Sequence, residues 1–165
     1  MIKGENISLR SVNFSDAPIL LEWENSPENW SYSDRQTAYT FKEILQLIES
    51  AEGIESTGQK RWMIVLNKNG AALGTLDVFE YNSIDSSIGV GILIQETSQR
   101  KKGFASEALK LLDQWLNEKA ISMVHCLIQK NNEASVQLFS NCGFQNVPLA
   151  ESNSPHLRFE KWLKK

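Results

Sequence analysis

Ser98-Gln99-Arg100-Lys101-Lys102-Gly103-Phe104-Ala105-Ser106 lies between the end of an apolar, strand-like run and the start of an amphipathic helix. A helix N-terminus presents backbone N–H groups without intrahelical partners and carries a partial positive charge. Three adjacent cations add to that charge, so the junction suits an anion such as a pyrophosphate. Gly103 lets the backbone come close to a ligand, and small Ala105 lets the helix begin tightly against it. The same residues also read as a solvated basic turn, and the segment alone leaves both readings open. Two other phosphate loops are missing: no Gly-x-x-x-x-Gly-Lys-Ser/Thr run occurs, and Gly89-Val90-Gly91 is followed by Ile94 where a dinucleotide fingerprint needs Gly. Nucleotide hydrolysis and hydride transfer drop out.

Working upstream, Ser87 to Ile94 reads as a strand, preceded by Ala72 to Phe79 and Arg61 to Leu66, with Asn69-Gly70 as a hairpin turn between those two. That is a three-stranded antiparallel meander. Earlier still, Ile7 to Val12 alternates as a strand, and a helix follows with Ser15 as its cap and Pro18 in its first turn. Thr40 and Glu43 form a capping box for a second helix whose Phe41, Ile44, Leu45 and Ile48 share a face. Downstream the order becomes βαβα. A helix runs from Ala105 to Lys119 with an Ala105, Ala108, Leu109, Leu112, Leu116 stripe; then come a strand from Met123 to Ile128 and a helix from Glu133 to Asn141, stopped by Gly143. Two short strands close the chain, Phe144 to Val147 and Leu157 to Leu163. The class is α+β, and residues 1–165 form a single expected domain.

Composition fits one such domain of 165 residues, with 41% hydrophobic and 22% charged side chains. Seventeen basic against twenty acidic residues give a charge of −3, which argues against a dedicated nucleic-acid partner. No stretch of about 18 apolar residues and no hydrophobic leader are present, so no membrane partner and a cytoplasmic location are expected. Cys126 and Cys142 are too few for a disulfide framework, and no Cys/His spacing suggests a metal.

Arg100-Lys101-Lys102-Gly103-Phe104-Ala105 matches the Arg/Gln-x-x-Gly-x-Gly/Ala motif of the GCN5-related N-acetyltransferase superfamily. Asn132-Glu133-Ala134-Ser135, with Leu138-Phe139 and Gly143-Phe144, resembles that superfamily's second block. Ile7-Ser8-Leu9-Arg10, Leu21-Glu22-Trp23-Glu24-Asn25 and Gly74-Thr75-Leu76 look most like the ribosomal-protein N-terminal acetyltransferase branch, with spermidine and antibiotic acetyltransferases also similar. The resemblance implies a GNAT-like central mixed sheet of about six to seven strands, the fourth and fifth splayed, flanked by about four helices. It implies acetyl-CoA as acyl donor, no metal, an amine acceptor that is a small molecule or a protein N-terminus, and a monomer or homodimer. By the same analogy, Arg100, Lys101, Lys102, Gly103, Phe104, Ala105 and Ser106 hold the pyrophosphate. Leu93, Ile94 and Gln95 pair with the pantetheine arm as with an added strand, and Asn132 contacts the cofactor. Helix capping is the competing role for Asn132, and Gly89 and Gly91 are expected to mark a bulge where the strands part.

Acetylating an amine poses two proton problems. An alkylammonium of pKa about 10.4 must lose a proton, and a departing thiolate whose thiol has pKa about 8.5 must gain one. Relatives often carry a Tyr acid where this chain has Phe139, which puts a side-chain acid in doubt; water and the three tyrosines Tyr32, Tyr39 and Tyr81 are the alternatives. Where relatives carry a Glu base, the chain has Ser86-Ser87. Asp77 is the candidate base or amine-attracting carboxylate, placed by periodicity on one face with Leu73, Thr75 and Phe79, and Glu80 is the second choice. Glu24, Glu28 and Asp34 with Trp30 and Tyr32 form an acidic and aromatic stretch suited to a cationic acceptor, or equally an anchor of that loop to the core. The function expected is direct acetyl transfer to a protein N-terminus, a polyamine or an amino sugar. A non-catalytic acyl-CoA-binding domain on the same scaffold is the alternative.

Overall fold

Asn69 and Gly70 turn the chain as their residue types demand: Gly70 sits at φ 73°, and its amide donates to the Leu66 carbonyl at 2.8 Å. The turn joins β4 (Gln59–Leu66) to β5 (Ala72–Asn82), and β6 (Ser87–Ile94) completes the antiparallel meander. A computed structural model of the chain describes residues 1–30 and 35–163, with only the backbone of Trp30. In it β2 (Ile7–Ser11) pairs with β4, and the two-residue strands β1 (Ile2–Lys3) and β3 (Glu52–Gly53) pair with β2 and β4. Beyond β6, a parallel step reaches β7 (Met123–Gln129), followed across the sheet by β9 (His156–Trp162) and β8 (Gln145–Val147). The order is β1-β2-β4-β5-β6-β7-β9-β8, one nine-stranded mixed sheet. Two-residue strands lift the count above the expected six to seven.

Helices cover the two faces. On one face, α5 (Phe104–Glu118) buries Ala108, Leu109, Leu111, Leu112 and Leu116 against Ile7, Leu9, Ile64, Leu76, Val78 and Ile88. Trp115 meets Trp62 edge-on at 4.9 Å there, and α6 (Glu133–Asn141) adds Phe139 to the same core. The other face carries α1 (Ala17–Glu24) and α3 (Phe41–Ser50), whose Leu20, Trp23, Ile44 and Ile48 pack with Met63 and Val65. Phe41, expected in that stripe, is 48% exposed. Single-turn helices α2 (Pro27–Trp30) and α4 (Ile54–Thr57) add to the four expected.

Local caps explain the helix starts. Thr40 accepts from the Glu43 amide while Glu43 accepts from the Thr40 amide at 2.8 Å, the expected capping box. The first helix is not capped by Ser15: its N-cap is Asp16, which makes no side-chain cap bond, and Asn13 caps the 3-10 turn that leads into it. Ser15 lies inside a 3-10 turn, Phe14–Asp16, and its amide donates to Asn13 Oδ1 at 2.9 Å. Asp16 accepts from the Asn13 amide and from both terminal nitrogens of Arg10, at 2.7 and 2.8 Å.

A β-bulge between Ile64 and Val65 shifts the β4–β5 register. Leu73 therefore joins the core under α5 and Ala72 packs toward α1 and α3, so Leu73 does not share a face with Asp77 as unbroken alternation predicts. The β5–β6 register shifts between Phe79 and Asn82, directly beside the Phe79–Gly89 pair, and β6 leaves β7 after Gly89, so the irregularity expected of the glycines falls at Gly89 and not at Gly91. A Cβ on Gly89 would stand 2.5 Å from Phe79 Cε2, and one on Gly91 3.6 Å from Phe79 Cε1. The glycines make room for that ring.

Candidate active site

Strands β6 and β7 pair in parallel only at Ser87–Met123, Ile88–Val124 and Gly89–His125, and then diverge. Between them opens a cleft of about 170 Å³ lined by Val90, Gly91 and Ile92 on one side and Cys126 to Gln129 on the other, with Asn132, Phe139 and His156 closing it. The diverging backbones leave polar groups of β6 facing this cleft. In an antiparallel ladder, successive residues point alternately toward and away from the partner strand. The Leu93 carbonyl points at β5, since a Cβ on Gly74 would fall 1.8 Å from it, and the Gln95 amide donates to the Leu73 carbonyl at 2.8 Å. Of the three residues expected to pair with an extended arm, Leu93 and Gln95 are thus already used, and Ile94 faces outward. Ile92, two residues earlier, shares its orientation.

At the open end of the cleft, the chain passes through a 3-10 turn (Thr97–Gln99) into the basic loop. Lys101 at φ 61° and Gly103 at φ 84° are left-handed, and Gly103 is the N-cap of α5. No side chain caps this helix, so the Phe104, Ala105 and Ser106 amides are offered at its positive end. Nothing lies within 4 Å of where a Gly103 Cβ would project. Lys101 and Lys102 are exposed; Lys102 Nζ reaches Gln99 Oε1 at 3.1 Å. Arg100 departs from expectation: its Nε donates to the Ile94 carbonyl at 2.8 Å and its Nη1 pairs with Glu28. Both bonds engage the guanidinium with groups outside the basic loop. Glu107, one turn into α5, accepts from the Asn6 and Ile7 amides at 2.8 and 3.2 Å. Burial opposes its charge, but those donors hold its carboxyl below the usual range.

Asn132 caps α6, its Oδ1 accepting from the Ser135 amide at 3.3 Å, while the residue also lines the cleft. Phe139 is buried and meets Phe144 edge-on at 5.0 Å, so no phenol stands at this position. Burial pushes the Cys126 thiol up to about 12, which keeps it protonated and unsuited to nucleophilic attack.

A second cleft, about 280 Å³, opens on the α3 side of the sheet, lined by Leu47, Ala51, Gln59, Lys60, Arg61, Asp77, Val78, Phe79 and Gly91. At its floor Arg61 donates from Nε to Asp77 Oδ1 at 2.5 Å, from Nη2 to Oδ2 at 3.1 Å and from Nη1 to Glu24 at 2.9 Å. Burial disfavours the Arg61 charge, but the two carboxylates outweigh it and raise its pKa. Burial also pushes the Asp77 carboxyl above its usual range, and the pull of Arg61 does not cancel it. Asp77 is therefore clamped, not a lone carboxylate on an apolar face. Glu80 is exposed, sits at φ 53° and lies outside both clefts. Glu24 belongs to this cleft through Arg61, whereas Glu28 is turned to Arg100. The Trp30 side chain, Tyr32 and Asp34 lie outside the described residues.

Gly91 lines both clefts. It lies two residues beyond Gly89, the last β6 residue paired with β7, so both linings reach the point where the strands part. Arg61, Phe79 and Ile92 escaped sequence reading. Counting outward from Asn69-Gly70 approaches the Arg61–Asp77 pair, but the bulge moves the register by one residue.

Residues 6–145 match the acetyltransferase (GNAT) domain model. An N-acetyltransferase of Bacillus licheniformis, p20, itself uncharacterised, is 24% identical over 149 residues, which are 88% of this chain and 82% of that protein. The Vibrio cholerae spermidine N-acetyltransferase, solved in complex with CoA and spermine, superposes with a TM-score of 0.83 at 19% identity, covering 97% of each chain. A ribosomal L7/L12 α-N-protein acetyltransferase in complex with coenzyme A gives 0.83 at 18% identity over 98% of this chain and 97% of that one. The family match over residues 6–145, on a mixed sheet whose middle strands splay above an uncapped helix, makes this chain a member of the GNAT acetyltransferase domain family.

Proposed function

We propose that the chain transfers an acetyl group from acetyl-CoA directly to a primary amine, with the β6–β7 cleft as donor site and the Arg61–Asp77 cleft as acceptor site. The observation that carries this reading is that Gly91 lines both clefts. Two clefts with one shared lining residue suit a reaction in which two substrates meet without a covalent enzyme intermediate. Holding reactants in line removes several kcal/mol, up to about 7–11, from such a barrier.

On the donor side, the loop from Arg100 to Ser106 binds the pyrophosphate mainly through the Phe104 to Ser106 amides, with Lys101 and Lys102 adding charge. The outward groups of Ile92 and the Ile94 amide pair with the pantetheine arm, while the Ile94 carbonyl is held by Arg100. On the acceptor side, each Asp77 oxygen keeps a lone pair beyond its bond to Arg61, so Asp77 orients the amine and relays its proton to water, with Arg61 fixing its rotamer. Glu24 adds a second negative charge to the same floor. Likeness to proteins solved with spermine or acting on a ribosomal protein supports an amine acceptor of either kind.

Titration with acetyl-CoA followed by thiol-release assays over polyamines and peptide N-termini tests the reading. Asp77→Asn is expected to lower kcat by about 10²- to 10⁴-fold and to remove the limb in which rate rises with pH as the carboxyl ionises. Phe139 in place of a phenol favours one second reading, a domain that binds acyl-CoA without turnover; binding with no thiol release across the panel would select it.

A further inference from the structure

Phe79 belongs to neither hydrophobic core. It lies opposite Gly89 in the β5–β6 ladder, and its ring spreads over Gly89 toward Gly91, so its edge stands beside the one residue common to both clefts. The ring is only half-buried and lines the acceptor cleft. Two side-chain-less residues beneath it form a trough that the ring fills.

Resting on the donor and acceptor assignments above, the position of the donor's acyl end follows from strand geometry. Phosphates at the α5 N-terminus lie beyond Ile94, and the cleft closes at Gly89, five residues back, about 17 Å at a rise near 3.3 Å per residue. An extended arm entering from the helix end brings its thioester to the closed end, beside Gly91. From there a path past Gly91 leads the acyl chain toward the acceptor cleft, where the Phe79 ring stands. We infer that Phe79 sets the acyl-chain length this protein accepts, leaving room for acetyl and excluding chains of four carbons. Removing the ring exposes the Gly89–Gly91 trough and admits them.

The test measures dissociation constants of CoA, acetyl-CoA and butyryl-CoA, which needs no knowledge of the acceptor. The wild-type protein is expected to bind CoA and acetyl-CoA, and butyryl-CoA at least about tenfold more weakly than acetyl-CoA, the scale of a hydrophobic pocket misfitted by a methylene or two. Phe79→Ala, with Phe79→Leu as the milder variant should the first fail to fold, is expected to bring butyryl-CoA within about threefold of acetyl-CoA while CoA itself binds as before. Gly91→Ala, whose Cβ meets Phe79 at an ordinary contact distance, is expected to weaken both acyl-CoAs more than CoA. Equal wild-type affinity for acetyl- and butyryl-CoA, or an undiminished gap in a folded Phe79 variant that binds CoA, overturns the inference and leaves the donor cleft standing. Failure of the wild-type protein to bind CoA overturns the donor assignment, and this inference with it.

Discussion

Replacing Gly103 separates the charge of the proposed donor site from its backbone. The residue is left-handed at φ 84°, and a Cβ there meets nothing within 4 Å, so a side chain costs conformational strain but no clash. That strain is about 1–2 kcal/mol for Ala. In a chain of this size it lowers Tm by roughly 2–8 °C. Gly103→Glu carries the same strain plus a carboxylate aimed into the space where phosphates would sit. At a separation near 5 Å, Coulomb's law gives about 1 kcal/mol per phosphate charge in water and about 3 at an effective dielectric of 20. The corresponding loss of affinity is roughly five- to 150-fold. Thermal melts and calorimetric titration with acetyl-CoA, run at low and high salt, read the two effects apart. Gly103→Ala and Gly103→Glu should melt together, while Gly103→Glu alone loses affinity, and loses less as salt rises. A folded Gly103→Glu protein that binds acetyl-CoA as tightly as wild type would refute the placement of the pyrophosphate at this helix end.

Other outcomes follow from contacts farther off. Gly89→Ala places a methyl 2.5 Å from the Phe79 ring and should destabilise the fold by about 1–3 kcal/mol in chemical denaturation. The Phe79→Ala/Gly89→Ala double variant should be more stable than the sum of its parts by about 0.5–3 kcal/mol, and strict additivity would show that the ring and the glycine are not in contact. Glu107 has a folded pKa below its unfolded one, so its contribution is present above about pH 4.5 and lost as pH falls through the folded value. Glu107→Gln should cost about 1–2 kcal/mol at pH 7 and flatten the acid limb of a Tm-against-pH series, and an unchanged limb would exclude that role.

Legibility followed the range of the interactions. Helix α3 begins where Thr40 and Glu43 form a capping box, α6 ends at left-handed Gly143, and β6 spans Ser87 to Ile94 as its apolar run indicates, because each of those choices is made within a few residues. The start of α5 at Gly103 was readable for the same reason. Arg100 was not: its partners are the Ile94 carbonyl and Glu28, the latter 72 positions away, and no local pattern signals that a cation in a basic run will be engaged by them. Asp77 was legible as a carboxylate in a strand but not as the partner of Arg61, whose register depends on a bulge between two apolar residues, Ile64 and Val65. Gly89 and Gly91 looked like weak points in a strand; only the stacking of Phe79 across them reveals that they are space left for a ring.

The far edge of the sheet is also informative about assembly. Strand β8 is three residues long, pairs only with β9, and is followed at once by Pro148, which has no amide hydrogen to offer. A second molecule laid against that edge gains a ladder of a few rungs at most, too little to recruit it by main-chain pairing. This margin is blunted against runaway sheet growth, and a homodimer of the chain would need a face of the sheet or its helices to hold it instead.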